Sequence, residues 1–143
     1  MKLPAKVEYA IKAVLELSKV YQDKKPLKTS SITGKQNISS KFLLQIMIRL
    51  KNGGIVRSER GISGGYLLLK SPESISLKDV INAVDVNILS KESVKKKSGN
   101  KFDEVLFTIW NEASLNLEKY LENITFDILI KKIHDKEALF YTI

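Results

Sequence analysis

Cysteine is missing from this sequence altogether, and histidine occurs once, as His134. The first absence excludes disulfides, thiolate catalysis, Cys-ligated zinc and all-cysteine iron–sulfur clusters. The second means that a multi-histidine metal site cannot be built within one chain. Long apolar runs are missing too, since nothing approaches the ~20 residues needed to span a bilayer. The N-terminal stretch MKLPAKVEYAIKAVLELSKVY is interrupted by Lys6, Glu8, Lys12 and Glu16, so it lacks the apolar segment of a signal peptide. A cytoplasmic protein with no membrane role is the expectation.

What is present is the composition of a globular chain, 43% hydrophobic and 28% charged over 143 residues, a length that suits one domain. The net charge of +8 is unevenly spread. Residues 1–70 carry 14 Lys/Arg against 4 Asp/Glu, whereas residues 71–143 carry 10 against 12. All the excess positive charge is therefore N-terminal. A basic region on an otherwise balanced chain suits a polyanionic partner, because each neutralised phosphate releases counterions.

Apolar residues at Val7, Ala10, Ile11, Val14, Leu15 and Leu17 predict an amphipathic helix from Pro4 to Val20, ended by Asp23-Lys24-Lys25-Pro26. A short segment, Ser30 to Gln36, follows, with Asn37 as a left-handed stop. Ser39 or Ser40 can cap the next helix, Lys41 to about Asn52, which directs Phe42, Leu43, Ile46, Met47 and Leu50 inward. Lys41, Gln45, Arg49 and Lys51 are left facing out, and Gly53-Gly54 terminates the helix. Helix, short helix, tight turn and helix with a basic outer face is the pattern of a helix-turn-helix. Ile55–Arg60 and Tyr66–Leu69 then read as two strands closed by Pro72. Ser76-Leu77-Lys78-Asp79 has the form of a capping box ahead of another helix. KESVKKKSGNK, residues 91–101, has no periodicity and is expected to be an exposed loop. Beyond it Phe102, Val105, Leu106, Ile109, Trp110, Ala113, Leu117, Tyr120 and Leu121 keep helical spacing, and Thr125 can cap a last helix carrying Phe126, Ile128, Leu129 and Ile133.

Gly61-Ile62-Ser63-Gly64-Gly65 matches the G-x-S-x-G nucleophile elbow of serine hydrolases letter for letter. The elbow needs a buried strand before it and a helix after it. Here the preceding strand carries Arg57, Glu59 and Arg60, and the following residues read as another strand. His134-Asp135 could in principle complete a triad, but nothing brings that segment to Ser63. The glycines fit a different need, a tight hairpin with positive φ and close backbone approach. Directly after a helix-turn-helix and flanked by Arg57 and Arg60, such a hairpin fits the wing of a winged helix, whose arginines suit the negative potential of a narrow minor groove.

Taken together, Ile38-Ser39, Phe42-Leu43, Gln45, Leu50-Lys51, Gly54-Ile55-Val56, Ser58, Arg60-Gly61, Gly64-Gly65-Tyr66 and Leu68 resemble the signature of the Rrf2 family of bacterial transcription regulators. The likeness extends to Lys6, Tyr9 and Ala10, to Ile75–Val84, and to the late helices around Trp110 and Thr125. The resemblance implies an α+β, mostly helical fold: a winged helix-turn-helix with a two-stranded wing and a long C-terminal dimerisation helix. It implies a DNA-binding domain over 1–85, an exposed Lys-rich loop over 86–101 and a helical dimerisation region over 102–143. A homodimer acting on palindromic double-stranded DNA follows, most often as a repressor and not as an enzyme.

Carried onto this chain, the DNA-facing positions are Ser39, Ser40, Lys41 and Gln45 with Arg57 and Arg60 on the wing. Arg49 on the same outer face and the wing glycines Gly61, Gly64 and Gly65 complete the expected interface. Phe102, Leu106, Ile109, Trp110 and Leu117 are expected to pair two protomers. Leu44 stands before Gln45 where several relatives carry Glu. Many members also hold an iron–sulfur cluster through three cysteines in the interval that reads KESVKKKSGNK here. The chain therefore resembles the cysteine-free branch of the family, similar to its cysteine-metabolism repressor. No cofactor is expected, and control falls to a regulatory protein partner, to a small ligand or to protein concentration. The rival reading is a winged-helix module that acts through a partner enzyme.

Overall fold

The computed structural model of the chain describes residues 2–89 and 100–142. Helix α1, Ala5–Lys19, is the central element, packing against the helices that begin at Thr29, Ser40, Leu77 and Phe126 and against the second strand. Its face of Val7, Ala10, Ala13, Val14 and Leu17 is buried, while Ile11 and Leu15 lie at the edge of the core. The helix stops at Lys19, with Val20 as its C-cap, and a 3-10 turn at Tyr21–Asp23 follows, ending on Lys24 in the left-handed region, φ 52°.

Helix α2, Thr29–Gln36, ends on Asn37 at φ 53°, ψ 48°, a conformation that Asn tolerates better than most residues. Helix α3, Ser40–Asn52, begins under Ser39, whose hydroxyl accepts a hydrogen bond from the Phe42 amide at 3.3 Å. Leu43, Ile46, Met47 and Leu50 are buried. Phe42 is half-buried and meets Tyr9 edge-on, with ring centroids 5.4 Å apart.

Strands β1, Val56–Glu59, and β2, Gly65–Leu68, form a two-stranded antiparallel sheet in which Val56 faces Leu68 and Glu59 faces Gly65. The regular strands are shorter than the apolar pattern predicts, although the Leu69 N–H still donates to the Ile55 carbonyl at 3.0 Å; Arg60 lies beyond the ladder. Leu27 adds a single bridge on the free edge of β2, exchanging two 2.9 Å hydrogen bonds with Tyr66. That bridge ties the wing to the entrance of α2.

A short 3-10 turn, Pro72–Ser74, leads to α4, Leu77–Val84, which opens on the expected capping box: the Ser76 hydroxyl accepts from the Asp79 amide at 3.1 Å, and the Asp79 carboxylate accepts from the Ser76 amide at 2.9 Å. The Lys-rich loop expected over 86–101 lies mostly outside the described residues. Its last position, Lys101, is already helical, because Asn100 caps α5, Lys101–Glu122, through a 2.8 Å bond from the Asp103 amide.

Helix α6, Phe126–Thr142, follows after a break at Asn123, and at its start the Thr125 hydroxyl donates to the Asp127 carboxylate instead of capping a backbone N–H. Its first residue has a role that helical spacing alone does not convey. Phe126 is fully buried in the same core as α1, α3 and α4. It is fixed there by Phe126 N–H donating to Ile75 at 3.0 Å and Leu77 N–H donating to Ile124 at 2.9 Å. The region 102–143 is thus joined to the winged domain through its middle.

Candidate nucleic-acid interface

The α2–turn–α3 unit presents the exposed residues Lys41, Leu44, Gln45 and Ile48 at spacings of three and four, one continuous stripe along α3. Ser39 and Ser40 are exposed at its N-terminal end. Leu44 and Ile48 are each half-exposed, so the stripe is less polar than the expectation of a basic outer face. Arg49, expected among the DNA contacts, points elsewhere. Its Nη1 donates to the Val84 carbonyl at 3.1 Å, so the guanidinium is held at the C-terminal end of α4. That carbonyl end carries partial negative charge, which favours a cation there. Arg49 thus links α3 to α4 while remaining an exposed residue.

The geometry of the wing accounts for its glycines. Gly61 sits at φ 109°, where a side chain is strained. A Cβ on Gly64 would lie 2.9 Å from the Arg60 carbonyl carbon, and one on Gly65 would lie 2.6 Å from the Leu27 carbonyl carbon. The turn therefore closes tightly and lies directly on the chain that enters α2. Ile62 at its tip is 97% exposed. Ser63 is exposed in the same turn and is followed by β2, without the helix an elbow requires. His134 lies exposed on α6 beside Glu137. Ser63 is a turn residue.

Arg57 is exposed on β1 and pairs with Glu59 at 3.2 Å. Arg60 is exposed and has no ion pair among the described residues. The same is true of Lys41, Lys24, Lys25 and Lys28. Lys25 and Lys28 line a depression with Ile62 and Ser63, and Lys28 with Thr29 and Ser30 lines a second one against Gly61 and Gly64. These lysines belong to the same basic surface, and the interface residues inferred from sequence omitted them. Their signal was present in the run Lys24-Lys25-Pro26-Leu27-Lys28, which entered only as regional charge.

Two acidic groups hold this surface in place. Glu16 is buried on α1, where its oxygens accept from Gln36 at 2.6 Å and Lys19 at 3.1 Å and lie 3.7 Å from Lys35. Burial pushes its carboxyl up, but the Gln36 bond and the two lysines outweigh burial and hold it below its ordinary value. The cluster pins the end of α2 to α1. Asp85 is held below its ordinary value chiefly by its bond to Lys6, 2.7 Å away. Lys51 reaches across to Ser58 at 3.1 Å and ties α3 to the wing.

No residue of α5 is buried. Phe102, Leu106, Ile109 and Trp110 are exposed, Phe102 to 75%, while Leu117 is half-buried. An iron–sulfur cluster does not fit the donor set of this chain. It has no cysteine, and no group of three or more His, Asp or Glu side chains able to hold a metal occurs among the described residues. No helix among the described residues is long and apolar enough to cross a membrane.

The chain is similar to known proteins over nearly its whole length. The family described as "Rrf2: Iron-dependent Transcriptional regulator" matches residues 3–132. The HTH-type transcriptional regulator IscR of Pectobacterium atrosepticum is 34% identical over 140 residues, spanning 97% of this chain and 83% of the relative. Among solved structures, CymR, the global cysteine regulator of B. subtilis, superposes with a TM-score of 0.77 at 25% identity, covering 92% of this chain and 98% of that one. IscR of T. potens gives a TM-score of 0.76 at 26% identity, covering 93% and 88%.

Proposed function

The chain belongs to the Rrf2 family of transcription regulators, which are not enzymes, and from that premise we propose that it is a homodimeric repressor of palindromic operators that works without an iron–sulfur cluster. One observation carries the reading. A stripe of α3 with Lys41 and Gln45 stands beside a wing and an α2 entrance where Arg60, Lys24, Lys25 and Lys28 have no ion pair among the described residues and Arg57 pairs with Glu59 alone. In this reading α3 enters the major groove, where Gln45 can bond an adenine edge and Leu44 can contact a thymine methyl. Ser39, Ser40 and Lys41 meet the backbone at the start of α3. Arg57 and Arg60 carry the wing along the phosphates toward the minor groove, and Gly61, Gly64 and Gly65 let it lie close. Arg49 takes no part in reading.

Phe102, Leu106, Ile109 and Trp110 pair two protomers, with Leu117 at the margin. An exposed apolar stripe of this length has no use in a monomer and marks an interaction face. Two copies related by a two-fold axis require a two-fold target. Without a cluster, control falls to a protein partner or a small ligand.

The test is recovery of genomic DNA fragments bound by the purified protein, followed by footprinting. An inverted repeat with one protomer per half-site, and affinity that falls steeply with salt, is the expected result. Fragments with no shared symmetric element, or binding indifferent to salt, would sink the proposal.

A further inference from the structure

Between the C-terminal end of α1 and β2 lies a cavity of about 320 Å³, within the size range of small-molecule sites. Its apolar wall is formed by Leu17, Val20, Tyr21 and Leu67. Its rim carries Lys24, Lys25 and Arg57. Lys24 and Lys25 have no ion pair among the described residues, and Arg57 has Glu59 alone. The rim is therefore a concentration of positive charge next to an apolar recess.

The free edge of β2 adds a polar element. Tyr66 directs its N–H and C=O to Leu27. Alternation along a strand sends those of Leu68, two residues on, to the same edge, where they have no partner among the described residues. Leu68 itself lines the cavity. A donor and an acceptor thus stand beside the cations.

We propose that this cavity is the effector site of the regulator and takes a small organic anion, a carboxylate carried on an apolar or aromatic body. The body fills the recess against Tyr21 and Leu67. The carboxylate meets Lys24, Lys25 and Arg57. Arg57 also belongs to the proposed DNA surface, so ligand and phosphate draw on the same guanidinium. The ligand also lies against β2 next to the Leu27–Tyr66 bridge that connects the wing to α2. Ligand binding therefore weakens operator binding, and by linkage operator weakens ligand binding by the same factor. This inference rests on the regulator reading above for its consequence, but not for the existence of the site.

The experiment is a titration of the ¹⁵N-labelled full chain with 3-phenylpropionate and, separately, with its neutral amide. Saturable shifts of the amides of Tyr21, Lys24, Leu67 and Leu68 are expected, with the amide compound at least tenfold weaker. Leu67→Trp should fill the recess and abolish the shifts, while that variant still binds the recovered genomic fragments as the parent does. Lys24→Glu should weaken the acid and leave the amide compound unchanged. Saturating 3-phenylpropionate should lower affinity for the fragments several-fold. No saturable shift in these residues, equal affinity for acid and amide, or shifts that survive Leu67→Trp would each overturn the site. Intact DNA binding that ignores a bound probe would overturn the coupling. Absence of DNA binding by the unliganded chain would instead remove the regulator reading and leave the site standing.

Discussion

Gln45 and Lys41 stand one turn apart on the exposed stripe of α3, yet they can distinguish different things. An amide side chain can bond two atoms of an adenine edge, whereas an ammonium is a point charge suited to phosphate. Gln45→Ala should change preference at one base pair by about 1–3 kcal/mol. Lys41→Ala should weaken all sequences alike and lower the salt slope by about one ion. Competition binding across single-base variants of the operator separates the two, and the reverse assignment would show that α3 docks in another register.

Glu16 offers a second test at this scale, because its carboxyl is depressed in the folded chain. The unfolded chain then binds more protons than the folded one as pH falls below the ordinary Glu value of about 4.3. Its stabilisation is full above that value and is lost as pH drops through the lower native one. Glu16→Gln should cost about 1–3 kcal/mol near neutrality and flatten this acid limb in denaturant titrations. An unchanged acid limb would exclude Glu16 from it. Single residues were unequally legible in the sequence. That Lys41 and Gln45 face outward follows from helical spacing alone. Arg49 does not, since the Val84 carbonyl that captures it is 35 positions away, and periodicity cannot see such a partner.

Elements closed by local chemistry were legible for the same reason. Asn37 stops α2, Ser76 and Asp79 box the start of α4, and Gly61 turns the wing, each through atoms a few residues apart. The ends of the strands were less legible, because the Leu27–Tyr66 bridge beside them depends on tertiary packing. Helix α5 was legible in extent and apolar spacing, although spacing does not say which part of a stripe faces its own domain. The structure leaves Ile109 and Trp110 exposed. Replacing both by Glu should leave the winged core folded and convert the dimer to monomer in sedimentation. Operator affinity should fall at least tenfold, since each half-site then binds alone. A dimer that survives both changes would rule out this face. Truncation ahead of α5 is a poorer test, because it also removes Phe126 from the core.

At the scale of the whole molecule the absence of cysteine has a direct readout. Chain purified without oxygen should be colourless and should bind operator equally with and without reductant. Stoichiometric iron and sulfide in that preparation would refute the cluster-free reading. The burial of Phe126 has a further consequence once the chain is considered in the order of its synthesis. Residues 1–85 leave the ribosome first, but the core they enclose stays unfilled until position 126 arrives, roughly 2–8 s later at ordinary rates of elongation. Helix α5 is made within that interval. Nascent chains arrested at Asn100 should therefore be digested by protease faster than full-length chains still tethered to the ribosome, and equal resistance would contradict this order of events. In the proposed dimer, the helix that meets the second copy is thus made before the core beneath the DNA-binding surface is complete.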